Sequence, residues 1–265
     1  MILKAMLKKE FLEMIRNYKI ITIPILFIFL GAMQPITYYY LPDILKMATL
    51  PEGAIMEFPL PSPAETIYAI FSQFNQLGLL ILVLISMGAI ANEVKSGVAE
   101  NIFVKPISLK SYILSKWIAY FSLTTISIML GVLVGMFYTN QLIGETSLEI
   151  VFRSTIIFIL YLLFYIGLNL TLSSFFSSGI LAGAITIITA MVFGIISNFP
   201  FNTWYLPSYL LKISYDILNQ IPTEGFWLSI SITIFYIAVM FYISTTRFTK
   251  ITRPYRTGSE ANDVL

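Results

Sequence analysis

The chain has 265 residues, 57% of them hydrophobic and only 11% charged, with Lys+Arg 16 against Asp+Glu 14. Soluble domains carry about 25% charged residues; this composition, a mean hydropathy of +0.83 and several apolar runs of roughly 20 residues describe a polytopic membrane protein. Cys and His are both absent, which excludes a disulfide framework, a thiol nucleophile, Cys- or His-ligated metal sites and His as a base or proton relay.

Residues 1–19 carry Leu3, Leu7, Phe11, Met14 and Tyr18 at steps of four and three. Lys4, Lys8, Lys9, Glu10, Glu13 and Arg16 interrupt or flank that stripe. The pattern predicts an amphipathic helix in the membrane interface, its basic heads near anionic lipid. The plainer alternative is a basic lead-in to the first span. The charged start and the lack of a small-residue cleavage site argue against a cleavable signal peptide.

Residues 20–40 form the first expected span, long enough at ~1.5 Å per residue to cross the hydrocarbon. Pro24 and Pro35 should bend it, and Tyr38, Tyr39 and Tyr40 should mark the far interface. The next segment, from Leu41 to about Phe71, holds Pro42, Pro51, Pro59, Pro61 and Pro63. Pro at that density argues against a long helix before Ala64, and Ala64 to Gln76 is expected to form a short helix leading into the second span. The second span is expected over 72–91, with Gln73, Asn75 and Gln76 near its outer end. Further spans are expected over 117–138, 153–173, 180–197 and 226–246. Gly183 and Gly194 should allow close helix approach in the fifth. Residues 198–225 read as a second external segment and 247–265 as a polar, disordered tail.

Both termini on the inner side would place 13 of the 16 Lys and Arg residues inside, leaving Lys46, Arg153 and Lys212 outside. That is a positive-inside distribution, and it orients the chain with cytoplasmic termini in the plasma membrane. No Asp, Glu or Lys lies within the apolar cores, and Arg153 sits at the edge of its span. The spans therefore lack the buried carboxylates of a proton-coupled pump or an aspartyl protease. Ser residues have no His or buried Lys to act as base. No Gly-x4-Gly-Lys-Ser/Thr loop is present, so an active transporter built this way needs ATP bound by another polypeptide. No catalytic residue, metal or cofactor is expected on the chain. The expected partners are the lipid bilayer and proteins, and no nucleic acid.

The one long polar run between strongly apolar segments is 92–116, NEVKSGVAENIFVKPISLKSYILSK. Asn92 is placed to cap a helix starting at Glu93, with Val94, Val98, Ile102 and Phe103 as its apolar side. Lys105-Pro106 should stop it, and Ser108 should cap the helix that carries Lys116 into the third span. A short helix, a Pro turn and a second helix make an element that a cytoplasmic partner can grip.

Here the sequence resembles the permease subunits of the second class of ATP-binding-cassette exporters. The resemblance rests on Glu93, Gly97, Glu100, the pair Ile102–Phe103, Pro106 and Lys116, and on the N-terminal KKEFLEMIRN with Lys9, Glu10 and Arg16. Val94 and Val98 stand where that pattern often has a basic residue and a Thr. The resemblance implies an all-α membrane fold with six transmembrane helices, an N-terminal interfacial helix and a cytoplasmic helical hairpin between spans two and three. It also implies a second permease chain, identical or not, and ATP-binding-cassette ATPase subunits docked beneath the pair. Glu93, Gly97, Glu100, Pro106 and Lys116 would couple to the ATPase, with Glu93 and Glu100 touching it or holding the hinge and Gly97 allowing close packing. The alternative for Glu93 and Glu100 is a solvated helix face. Gln73, Asn75, Gln76 and Asn169 are candidates to line a path, or to hydrogen-bond between helices. A membrane sensor or scaffold signalling to a soluble partner is the competing function.

Overall fold

The computed structural model describes residues 2–47, 61–97, 108–197, 199 and 203–262, with side chains described outside 45–47 and 248–262. Among the described residues every regular element is helical. Helix α1 is Ile2–Arg16 and α2 is Lys19–Met47. Helix α3 is Pro63–Gln73, followed by a π-helical turn at Phe74–Gly78 and by α4, Leu79–Ser86. A short α5, Ala91–Lys95, precedes α6, Leu109–Leu142, and α7, Leu148–Phe175. Helices α8, α9 and α10 are Gly179–Ser197, Tyr209–Leu218 and Phe226–Asn262. Among the described residues six segments are long and apolar enough to cross a membrane.

Helix α7 is the post around which the others stand: 72% of its span window is buried, against 11% for α10 and 22% for α8. Such exposed apolar faces are what a bilayer covers. The most extensive pairing is α2 against α6. It is close because Gly31 and Gly131 meet backbone to backbone. A Cβ on Gly31 would run into the Gly131 carbonyl, and one on Gly131 would lie 2.6 Å from the Phe27 carbonyl oxygen. Small residues at such a crossing let two helices gain dispersion contact along their length. Phe27 sits edge-on to Phe74 at 4.8 Å, and Phe71 stacks on Phe158 at 4.7 Å, tying α2 and α3 to α7.

Three features differ from what the sequence suggests. Helix α2 runs through Pro42 to Met47 instead of ending at Tyr40; an established helix adds one hydrogen bond per residue, which outweighs a single proline near its end. Helix α3, by contrast, lies where a short helix is expected, and its start at Pro63 is set by the capping box of Ser62 and Glu65 with Pro at the first helical position. The 198–225 segment contains the amphipathic α9, which packs its Leu210, Ile213 and Leu218 inward against α7. There Ser154 Oγ donates to the Ser214 carbonyl at 2.6 Å. Finally, the 247–262 backbone continues α10 as helix, not as a disordered tail, again by propagation from the span. Of the glycines expected to bring helices together, Gly183 packs against Met87 and Val83, whereas a Cβ on Gly194 would meet nothing within 4 Å.

Gly131→Val should cost about 1–3 kcal/mol through overpacking, read as a lower melting temperature in detergent. Gly194→Ala should leave it unchanged to within about 0.5 kcal/mol.

Candidate functional site

Four charges from three separate stretches close a ring at the end of the bundle where α1 lies. Lys116 Nζ on α6 lies 3.1 Å from Glu10 Oε2 on α1 and 2.9 Å from Glu93 Oε1 on α5. Lys9 Nζ lies 2.6 Å from the same Glu93 oxygen and 3.1 Å from Glu10 Oε1. Each cation therefore touches both carboxylates. Lys116 and Glu10 are 1% and 3% exposed, so the pairing is internal. The Tyr112 hydroxyl donates to the other Glu93 oxygen, and its ring faces both ammonium groups, 5.1 Å from Lys116 and 5.9 Å from Lys9. Burial pulls the Lys9 pKa down, but its hydrogen bond to Glu93 and the charges of Glu10 and Glu93 outweigh this, holding it above the ordinary lysine value.

The stretch that carries Glu93 is fastened from behind. The second span breaks at Met87–Ile90, between α4 and α5. Ser173 of α7 spans the break: its hydroxyl donates to the Met87 carbonyl at 2.8 Å and accepts from the Ile90 and Ala91 amides at 3.3 and 3.1 Å. One turn earlier on α7, Asn169 donates to the Val83 carbonyl at 3.0 Å and to Ser86 Oγ at 2.8 Å. These bonds satisfy backbone groups that a helix break would otherwise leave bare in an apolar setting.

Residues 4–251 match the family described as ABC-2 family transporter protein. This chain belongs to the ABC-2 transporter family. An uncharacterized transmembrane protein of Bacillus subtilis (strain 168), YxlG, is 31% identical to it over 250 residues, which is 93% of this chain and 97% of the relative.

In this ABC-2 protein the structure joins two groups of residues that the sequence presents separately. Lys9 and Glu10 of the N-terminal helix meet Glu93 and Lys116 of the polar stretch. Arg16 stands apart, exposed in the last turn of α1. Glu100 and Pro106 lie outside the described residues. Gly97 serves a turn: its φ of +72 ends α5 in the left-handed region, and among the described residues a Cβ there would meet nothing within 4 Å. Helix α5 starts at Ala91, and Ser173 takes the role expected of Asn92. Ser108 holds the N-cap position of α6 without a capping side-chain bond.

The four path candidates separate. Asn169 is fully buried between helices, and its Oδ1 accepts from Thr186 at 3.3 Å. Gln73 is buried, donating to Met33 Sδ at 3.4 Å while its Oε1 has no partner. Gln76 is exposed. Asn75, on the π turn, accepts from the Tyr161 hydroxyl at 2.6 Å and lines a cavity of about 490 Å³ with Tyr68, Lys212 and Tyr215.

Sequence reasoning missed Ser173, Tyr112 and the inward side of Glu10. The inner face of α1 is Met6, Glu10 and Met14, while Tyr18 of the expected stripe is exposed at φ 55. Hydropathy assigns Glu10 to solvent; only its partner on α6 makes burial favourable. A signal was present in Tyr112, Lys116 and Tyr120, spaced by four along one face of α6.

Lys116→Met should destabilise the protein by about 3–5 kcal/mol, because Glu10 and Glu93 are left with one cation between them. Adding Glu10→Leu to it should recover part of the loss, as read by melting in detergent. Lys9, with its pKa raised by folding, contributes stability that is complete below the ordinary lysine value of ~10.4 and is lost as pH rises through its folded value. Docking of α1, followed by cross-linking of cysteines introduced in α1 and α6, should accordingly be constant near neutral pH and fall only above that range.

Proposed function

We propose that this ABC-2 protein is the membrane-spanning permease subunit of an ATP-driven exporter in the plasma membrane, with both termini cytoplasmic. Two permease chains form the path, and separate ATP-binding-cassette ATPase subunits bind and hydrolyse the ATP. The chain itself contributes no catalytic group and no cofactor. The observation that carries this reading is the closed ring of Lys9, Glu10, Glu93 and Lys116. A displacement of the 92–116 stretch by a docked ATPase is passed through buried ion pairs to α1 and to the start of α6. Pulling one charge from its partners in a low-dielectric site is costly, so these three pieces move together. The positive-inside distribution of Lys and Arg supports the orientation, and Asn75 at the 490 Å³ cavity supports a path passing the π turn.

The test is to tag the protein in its own host, solubilise it gently and identify what co-purifies. A soluble ATPase with a phosphate-binding loop should be recovered, and recovery should fall when Glu93 and Glu100 are both replaced by Ala. Absence of any ATPase from the wild-type preparation, under conditions that keep known exporters assembled, would overturn the reading.

A further inference from the structure

Beside the ion ring lies a second polar feature that the coupling role does not use. A cavity of about 660 Å³ opens between the α1–α2 turn, the end of the second span and the turn from α7 to α8. It stands where the candidate spans begin at Lys19 and Gly179 and end at Lys95. Its cation is Lys19, whose ammonium donates to two neutral acceptors, the Ile85 carbonyl at 3.1 Å and the Tyr120 hydroxyl at 3.2 Å. Among the described residues no carboxylate lies within ion-pairing distance of it, in contrast to Lys9 and Lys116. A partly buried cation without an anion is a costly arrangement that a bound anion relieves.

The rest of the lining fits an anion with a polar body. Asn17, Asn92, Ser178 and Lys95 offer further donors. Two carboxylates also face the space. Glu93 is neutralised within the ring, and Glu13 lies 3.7 Å from Lys9. The lip is apolar: Leu84 and Ile180 line the cavity yet are 51% and 72% exposed, on the side that acyl chains occupy. The volume is within the range of pockets that enclose small organic ligands; Lys19 and Lys95 balance Glu13 and Glu93 in the lining, and with Glu93 taken up by the ring Lys19 is placed to meet a headgroup phosphate between the span ends. We propose that this cavity binds the phosphate of a membrane phospholipid headgroup, with Lys19 as its counter-ion and the acyl chains lying along Leu84 and Ile180. A soluble protein acid would meet the same cation but would gain nothing from the apolar lip, so a lipid is the better occupant.

The experiment uses the full-length protein, delipidated in detergent and examined by native mass spectrometry. The probes are short-chain phosphatidylglycerol, diacylglycerol with the same chains, and inorganic phosphate. Phosphatidylglycerol should be retained and diacylglycerol should not. Lys19→Gln should weaken retention about tenfold, Lys19→Arg should restore most of it, and Arg153→Gln, exposed at the opposite end of α7, should change nothing. Ser177→Trp, on the exposed turn at the mouth, should give the same loss if Lys19→Gln does not fold. Equal retention of diacylglycerol, or wild-type retention by both Lys19→Gln and Ser177→Trp, would overturn the proposal. So would displacement by inorganic phosphate at equal concentration, which would assign the cavity to a soluble ion. Loss of ATPase co-purification in Lys19→Gln with lipid retention intact would assign it to a protein partner.

Discussion

Two ammonium groups and two carboxylates, withdrawn from water by three helices, determine how one end of this membrane bundle is put together. Lys116 and Glu10 are almost wholly buried, where an unpaired charge is costly. Each needs the other, and Lys9 and Glu93 complete a set with no net charge. The arrangement gives position more than it gives stability: an apolar replacement of similar shape can match a buried ion pair in free energy. An apolar contact would let α1 slide along α6, because dispersion is non-directional. Charges held at 2.6–3.2 Å do not slide. A polar stretch between two spans is thereby locked in register with a helix some eighty residues earlier in the chain.

The lock matters because of what stands behind it. Ser173 and Asn169 fix the broken end of the second span to α7, the most buried of the six spans. Load arriving at α5 therefore has two exits, one through the ring into α1 and α6 and one through these hydrogen bonds into α7. The exposed helices α8 and α10 receive little of either, and their apolar faces remain for lipid or for another chain.

Much of this was legible in the sequence. The six apolar stretches, the polar 92–116 interval and the individual charges at 9, 10, 93 and 116 all stand out, because hydropathy is a local property. The ring was not legible, since pairing Glu10 with Lys116 is a property of two distant stretches. Hydropathy alone turned Glu10 outward and put Tyr18 in its place. Helix ends were missed for a related reason. Pro42 was taken as a stop although the helix was already propagating, whereas the start of α3 near Ala64 was legible from the end of the proline run. The amphipathic α9 was hidden by its place in a segment that reads as a loop, although Leu210, Ile213 and Leu218 carry a helical spacing. Asn169 reads equally well as a path residue or a structural one from its type alone; its neighbours decide the contacts it makes.

The π turn has an effect on the chain beyond the cavity at Asn75. Upstream, the inner face of α3 runs through Ile67, Ile70, Phe71 and Phe74. Continued at about 3.6 residues per turn, that face would pass through Ile81 and Ile85. The buried residues are instead Leu82, Val83 and Ser86. The wide turn is thus a phase step of one residue, a frameshift written in the helix instead of the gene. Deleting a single residue between Phe74 and Gly78 would move Leu82 and Ser86 to the places an unbroken helix gives to 81 and 85, so the turn could close to ordinary helix while both keep their face. Straightening the turn with every residue kept would instead swing the rest of the span by about 100°, turning Ser86 away from Asn169 and bringing the wrong face toward α7 at the break.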